Sequence, residues 1–455
     1  MFLSIIPIIY LIYMVTKYTV DLPSWDEWYF IPLFEKMFTH SLTFQDLWSQ
    51  HNEQRLIFPR IIMLAIAQFT GWNLKYETAL NASLGIGIFL ALASFLRREA
   101  KKFQKYSIYW ILPTLSFLVF SLNQYENWLW GWQMLVFLNV FFVIIGFIIL
   151  TSISVNWISI FTATIFGVIA TYSFATGLIY WPIGFLLLLL HPKMIKGVKI
   201  KFIIFWFSVT SLVFLSYFYK YSRPLYNPPT PLTLAFQYPV AYIEFILEYL
   251  GSPLEIINRN RAIVFGLAGI IVFAYLLLKF IKSKQIKTTV FLTPFAFSLY
   301  AISSAIVTGA GRIRLGLAQL PTSRFVTIAE LFWVSIVVFL YFYLNLSKRH
   351  QVKKLIFQRF KIFTVPIIIL ITFLAINSSM QGSKTEIERS SFLLNIRNDL
   401  LSEKPSKDRI LLWAEIYPYS NEKNLTNVIN LSELVKRVNI LSKYNLSIFK
   451  GSEDH

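Results

Sequence analysis

Hydrophobic residues in this chain run in unbroken blocks of about twenty, the length that carries a helix across the hydrocarbon of a bilayer. The blocks fall at about 2–20, 76–96, 107–122, 133–151, 157–173, 177–191, 200–219, 262–281, 288–308, 325–346 and 362–377. They predict an all-α polytopic membrane protein with about 11 transmembrane helices. Segment 56–70 (LIFPRIIMLAIAQFT) is also apolar, but it is short for a span and has Arg60 inside it. It reads as a helix lying on the membrane surface, with Arg60 and Gln68 toward an interface or cavity. The transmembrane domain is expected over 1–377, with 21–75 as a long first external loop that carries surface helices and the candidate acids. Residues 378–455 turn to acids, Lys, Asn and Ser. They are expected to form a small α+β extracytoplasmic domain, with a buried strand over 409–417 and an amphipathic helix over 431–444.

Composition agrees with the pattern. Only 14% of residues are charged, against about 25% in a soluble domain. The net charge of +19 would suit nucleic acid, but the positions of the charges say otherwise. Segments 97–105, 193–201, 279–287 and 348–361 hold 5, 4, 4 and 6 Lys+Arg, with Glu99 as their single acid. Basic residues in short loops mark the cytoplasmic side, so the N-terminus is placed inside and 378–455 outside. Nucleic acid is excluded as a partner, and the bilayer is the first one implied. Residues 2–20 lack a basic leading region and a small-residue cleavage site, so they are expected to be a retained first span. There is no Cys, which removes disulfides and thiolate metal sites. Usage rich in Lys, Ile, Asn and Phe points to a bacterial plasma (inner) membrane.

Candidate chemistry gathers in the external segments. Asp26 and Glu27 follow the first span between Trp25 and Trp28. Carboxylates beside apolar surface resist ionisation, which suits general-base work or metal ligation; helix-capping acids in an aromatic belt are the alternative. His51, Glu53, Arg55 and Arg60 put an imidazole, a carboxylate and two guanidinium groups within ten positions. Arginine suits phosphate recognition and histidine a proton shuttle, although a solvated polar loop would look the same. Segment 123–133 contains Tyr125, Asn127, Trp130 and Gln133, among amides and indoles that suit sugar hydroxyls and prenyl chains. Ser173 and Thr176 sit at the outer end of the fifth span. Arg312, Arg314, Ser323 and Arg324 lie outside against the positive-inside bias, so either an anionic ligand or acidic partners should hold them there.

Together these features resemble the GT-C class of integral-membrane glycosyltransferases over about residues 1–346. The carriers are the inside N-terminus, the long first loop, the acidic pair Asp26-Glu27 just after span one, and the His51–Arg60 stretch. Phe58-Pro59-Arg60 through Gly71, followed by Asn73 and the second span, is similar to the second surface helix of the lipid A aminoarabinose and protein mannosyl transferase branch. The resemblance implies a polyprenyl-phosphate-linked sugar as donor and a glycan, lipid or protein acceptor on the outer face. Asp26 would be the general base in an in-line, inverting attack. Arg324, with Arg312 or Arg314, would neutralise the departing phosphate. Glu27 and His51 would orient the acceptor, or Asp26 and Glu27 would ligate a divalent cation (Mg or Mn), as in the oligosaccharyltransferase branch. A lipid-linked oligosaccharide flippase or exporter and a polysaccharide polymerase are the alternative readings.

Overall fold

The computed structural model describes residues 2–101, 108–191, 194–222, 235–283, 288–312, 323–346, 354–402 and 431–450. Its helices are α1 (Ile6–Tyr18), α2 (Ile31–Phe38), α3 (Phe44–Trp48), α4 (Ile57–Thr70), α5 (Leu74–Ala100) and α6 (Leu112–Val119). There follow α7 (Tyr125–Leu129), α8 (Met134–Leu150), α9 (Trp157–Thr171), α10 (Tyr180–Leu190), α11 (Lys196–Phe218) and α12 (Pro239–Gly251). The rest are α13 (Arg259–Lys282), α14 (Thr289–Arg312), α15 (Val326–Leu346), α16 (Lys354–Ser402) and α17 (Leu431–Lys443). The strands among the described residues are β1 (Gln50–His51) and β2 (Gln54–Arg55), an antiparallel hairpin pairing Gln50 with Arg55 and His51 with Gln54.

Seven helices among the described residues are long and apolar enough to cross a membrane: α5, α8, α11, α13, α14, α15 and α16. This is an all-α, multi-pass membrane protein. In lipid every backbone polar group must be satisfied within the segment, which helices do. The span of α15 is 94% buried and that of α8 72%, so these form the centre, whereas that of α11 is 17% buried and faces lipid. Helices α1, α4, α9 and α10 are apolar but shorter. The block at 107–122 becomes the eight-residue α6, flanked by single turns at Ile108–Trp110 and Leu122–Gln124. Pro113 suits the start of α6, where an N–H would lack an intrahelical partner.

Helices α2, α3 and α4 fill most of the segment between α1 and α5, with the hairpin between α3 and α4. Helix α4 turns Pro59, Arg60, Met63, Leu64 and Ala67 inward and leaves Ile61 and Phe69 outside. It ends at Gly71, whose φ of +64° is the left-handed cap that glycine adopts without strain. Asn73 then opens α5 by accepting from Lys75 N (3.0 Å), while Asp21 accepts from Leu74 N (3.1 Å).

The largest departure is α16. The block at 362–377 is part of a 49-residue helix, about 73 Å long at 1.5 Å per residue, which exceeds twice the hydrocarbon thickness. Its far half is fastened to the turn after α6. Leu122 N donates to Ser379 Oγ (2.9 Å), and Asn123 Nδ2 to Ser378 Oγ (3.0 Å). Further along, Ser390 Oγ donates to the carbonyl of Tyr18 (2.8 Å). The expected helix over 431–444 is present as α17, and the expected strand over 409–417 lies outside the described residues. Helix α17 packs on the first loop: Tyr444 stacks on Phe38 at 4.9 Å, Arg437 Nη1 donates to Trp28 O (3.1 Å), and Ser447 N to Gly71 O (2.8 Å).

At Gly382 an added Cβ would lie 2.0 Å from the Leu122 carbonyl oxygen, so α16 and the turn touch backbone to backbone. Gly382→Val is predicted to destabilise the protein by about 1–3 kcal/mol. Gly197→Ala, where nothing lies within 4 Å of an added Cβ, should not destabilise it. Thermal unfolding in detergent checks both.

Candidate functional site

The chain leaves α1 and turns through a short 3-10 helix, Trp25–Phe30, entered with Trp25 at φ +53°. That is a costly conformation for a bulky residue. The turn sends the two adjacent acids in different directions. Glu27 is 1% exposed; its Oε2 accepts from Ser24 N (2.7 Å) and its Oε1 from Trp132 N (3.1 Å). Burial pushes its carboxyl up to about 8, against the pull of those backbone donors. Asp26 is the accessible member of the pair, with Oδ1 3.7 Å from His51 Nε2. His51 is presented by the hairpin, whose turn takes Asn52 through φ +50°, a conformation asparagine tolerates. The imidazole leans edge-on against Trp132 (5.1 Å) and Tyr29 (5.6 Å).

The two loop arginines turn inward and hold backbone. Arg55 donates from Nε to Tyr217 O (2.6 Å), from Nη1 to Trp48 O (2.9 Å) and from Nη2 to Tyr219 O, and it lies over the Trp48 ring. Arg60, 4% exposed, donates from Nη1 to Leu47 O (2.8 Å) and Ser49 O and lies over Phe30. Burial lowers its guanidinium to about 10, still a cation at neutral pH. The Glu53 carbonyl accepts from Tyr217 Oη (2.9 Å). These groups fasten the hairpin to the end of α11, leaving His51 to face Asp26.

The third group meets the fourth across the 123–133 turn. Asn127 Nδ2 donates to Ser323 O (3.3 Å), Arg324 O (3.1 Å) and Thr327 Oγ1 (2.6 Å). Ser323 Oγ donates to Glu126 Oε2 (2.7 Å), and Arg324 Nε lies 3.7 Å from that same oxygen. The guanidinium sits over Trp25 (5.1 Å) and Trp130 (5.9 Å). Trp25 and Trp130 are themselves 6.0 Å apart, and Trp130 stacks on Trp132 at 6.5 Å. A continuous aromatic wall thus runs from Arg324 to His51 and Asp26. Gln133 is buried beneath it, and burial pushes the half-buried Tyr125 hydroxyl up to about 12.

Arg312 closes α14, and Arg314 lies outside the described residues. Ser173 and Thr176 are buried in the bundle, where Thr176 joins Tyr300 and Asn139 in a hydrogen-bonded group apart from the wall. Two residues beside the site escaped the sequence reading: Glu386 and Arg389 on α16, paired at 3.2 Å. Their (i, i+3) spacing on the serine face of a helix was the available signal.

The arrangement offers an accessible carboxylate beside an imidazole, a fixed cation along an aromatic wall, and an acid that anchors the cation. A cation site built on Asp26 and Glu27 does not fit this geometry. Glu27 has each oxygen engaged by a backbone N–H, and among the described residues no three His, Asp or Glu side chains are placed to hold a metal ion. No protein-family description, curated protein or solved structure matches the chain. The functional reading therefore rests on geometry.

Glu27 makes stability depend on pH. Between about 4.5, its ordinary value, and about 8, the folded protein holds a proton that the unfolded chain has released. Its contribution is full below that window and is lost as pH rises through it. Melting temperature should fall from pH 5 to pH 8.5 in the wild type and less steeply in Glu27→Gln; parallel profiles would contradict the assignment.

Proposed function

We propose that this protein is a membrane glycosyltransferase that moves a sugar from a polyprenyl-phosphate donor to an acceptor hydroxyl on the outer face of a bacterial plasma membrane. The observation that supports this most is the single aromatic wall with Asp26 and His51 toward one end and Arg324 at the other. The layout resembles a GT-C enzyme in having its accessible acid just after the first span.

In the proposed reaction Asp26 takes the proton of the acceptor hydroxyl as that oxygen bonds to the anomeric carbon. The bond from the anomeric carbon to the phosphate oxygen breaks in line, so configuration inverts. The electron pair leaves on the lipid phosphate, whose charge Arg324 meets as a preorganised cation. Glu126 and the two tryptophans hold that guanidinium before the donor arrives. His51 orients Asp26 and the acceptor, and the indoles stack on the sugar or the prenyl chain. Arg55, Arg60 and Glu53 act by holding the hairpin, Glu27 by fixing the Trp132 backbone. The chain's own groups supply every step.

Topology supports placing this wall on one face. Gln50 meets Ser222, Asn123 meets Ser252, and Tyr242 meets Ile306 on the side of the wall. His191 meets Ser152, and Thr289 meets Thr151, at the opposite ends of those helices. Counting α1, α6, α9 and α10 with the seven long helices, and leaving α4 on the surface, gives eleven crossings. The basic segments then lie inside and the wall outside.

Asp26→Asn, assayed in nanodiscs with a panel of polyprenyl-phosphate sugars, is predicted to lower kcat by about 100-fold or more while donor affinity holds. Unchanged turnover would overturn the assignment.

A further inference from the structure

We propose that Arg437, on α17, is a positioning residue for the Asp26–His51 pair, so that the C-terminal segment completes the site. For the reaction it serves, this rests on the transferase reading above; the contacts that carry it are independent of that reading.

The imidazole of His51 is weakly tethered by hydrogen bonds. Its Nε2 lies 3.7 Å from Asp26 Oδ1, too long for one, and 3.4 Å from Asn52 Nδ2 in its own turn. Rings hold it instead: Trp132 at 5.1 Å, Tyr29 at 5.6 Å and Phe30 at 6.3 Å, all edge-on. Two of these rings are fixed within the site, since Trp132 and Phe30 are buried and pack on each other at 4.8 Å. Tyr29 is only half-buried and takes its support from elsewhere. The guanidinium of Arg437 lies over its ring at 5.0 Å, and Nη1 donates to the carbonyl of the preceding residue, Trp28 (3.1 Å). One side chain thus holds the backbone and the ring of consecutive residues in the 3-10 turn that carries Asp26. Attraction between a cation and an aromatic face strengthens away from water, and Arg437 is 9% exposed.

Arg437 reaches this turn from 409 positions away in the chain. Its helix is docked along the whole first loop. Tyr444 stacks on Phe38 in the middle. Ser447 Oγ donates to Asp21 Oδ1 (3.2 Å) just after α1, and Ser447 N donates to Gly71 O (2.8 Å) just before α5. Lys450 Nζ adds a bond to Thr70 O (2.7 Å). A segment that touches both ends and the middle of the loop fixes the turn against the bundle. Those contacts would be enough to cover the loop; a buried arginine on the ring that abuts His51 serves the pair.

The experiment follows His51 itself, in the full-length protein in nanodiscs. Diethyl pyrocarbonate acylates neutral imidazoles, and at pH 8, above the usual imidazole range, the exposed His40 is an internal reference. Peptide mass spectrometry reads the ratio of His51 to His40 acylation, and unfolding midpoints check that each variant folds. Arg437→Gln should raise that ratio about threefold or more. Arg437→Lys keeps a cation for the ring and a donor for Trp28 O, and should recover most of the protection. Tyr29→Leu should expose His51 as much, and adding Arg437→Gln to it should change nothing further, because the arginine acts through that ring. Tyr444→Ala, which loosens α17 away from the turn, should lower the midpoint and leave the ratio near that of the wild type. Should Arg437→Gln not fold, Arg437→Lys takes its place in the cycle, with a smaller change that vanishes in the Tyr29→Leu background. In the transfer assay Arg437→Gln should lower kcat about tenfold while the donor KM holds. A ratio indifferent to Arg437, or additive effects of Arg437→Gln and Tyr29→Leu, would overturn the proposal. Because the acylation ratio needs no sugar transfer, that failure is distinct from failure of the transferase reading, which would appear as full turnover in Asp26→Asn.

Discussion

Side-chain amides on the segment between α6 and α8 hold the rest of the site together. Asn123 Nδ2 donates to the carbonyls of Ser252 and Pro253 and to Ser378, tying α6 to the end of α12 and to α16. Asn127 binds the start of α15, and Gln124 Nε2 donates to both oxygens of Glu330 one turn deeper. From α5, Asn81 donates to the carbonyls of Asn127 and Trp130. Irregular backbone at the edge of a bilayer is tolerated only where its polar groups find protein partners. Here the partners come from α5, α12, α15 and α16, so satisfying the turn also fixes the positions of Arg324, Glu126, Arg389 and the tryptophans. Removing one of these amides would leave buried acceptors unmet.

The charges near the wall follow from that frame. Adjacent acids in the sequence end in opposite environments because the turn after α1 enters through a strained Trp25, which lays the indole over Arg324 and drives Glu27 inward. Asp26 keeps partial access to water and faces an imidazole. Arg324 is placed by its neighbours alone: the aromatic faces stabilise the cation without neutralising it, and Glu126 holds it at a distance that leaves donors open. A cation held this way is preorganised for an anion that forms during a reaction.

Much of this was legible in the chain. Seven of the eleven apolar blocks became helices long enough to cross a bilayer, and the short block with Arg60 became a helix with that arginine turned inward. The aromatic, amide-rich turn and Arg324 did come together. What the pattern concealed was local. Nothing in Asp26-Glu27 tells which carboxylate faces out, since a 3-10 turn separates neighbours that a list of acids pairs. Arg55 and Arg60 resemble phosphate ligands in composition, yet both meet backbone carbonyls, Arg60 in its own loop and Arg55 mostly at the distant end of α11. The polar run after 377 looked like the start of a separate domain; as far as Ser402 it continues α16, whose serines, glycine, Glu386 and Arg389 lie on one face. That face was readable at helical spacing, but polar composition outweighed periodicity.

The proposed function requires an outer-face site that holds a lipid-phosphate sugar and discharges it through Asp26. Mass spectrometry of lipids that co-purify in nanodiscs, comparing wild type with Asp26→Asn, tests this most directly. The account predicts a polyprenyl-phosphate sugar in the preparation, enriched in the variant that binds donor and cannot transfer it. An oligosaccharide pyrophosphate lipid present equally in both would contradict it and favour a flippase or polymerase.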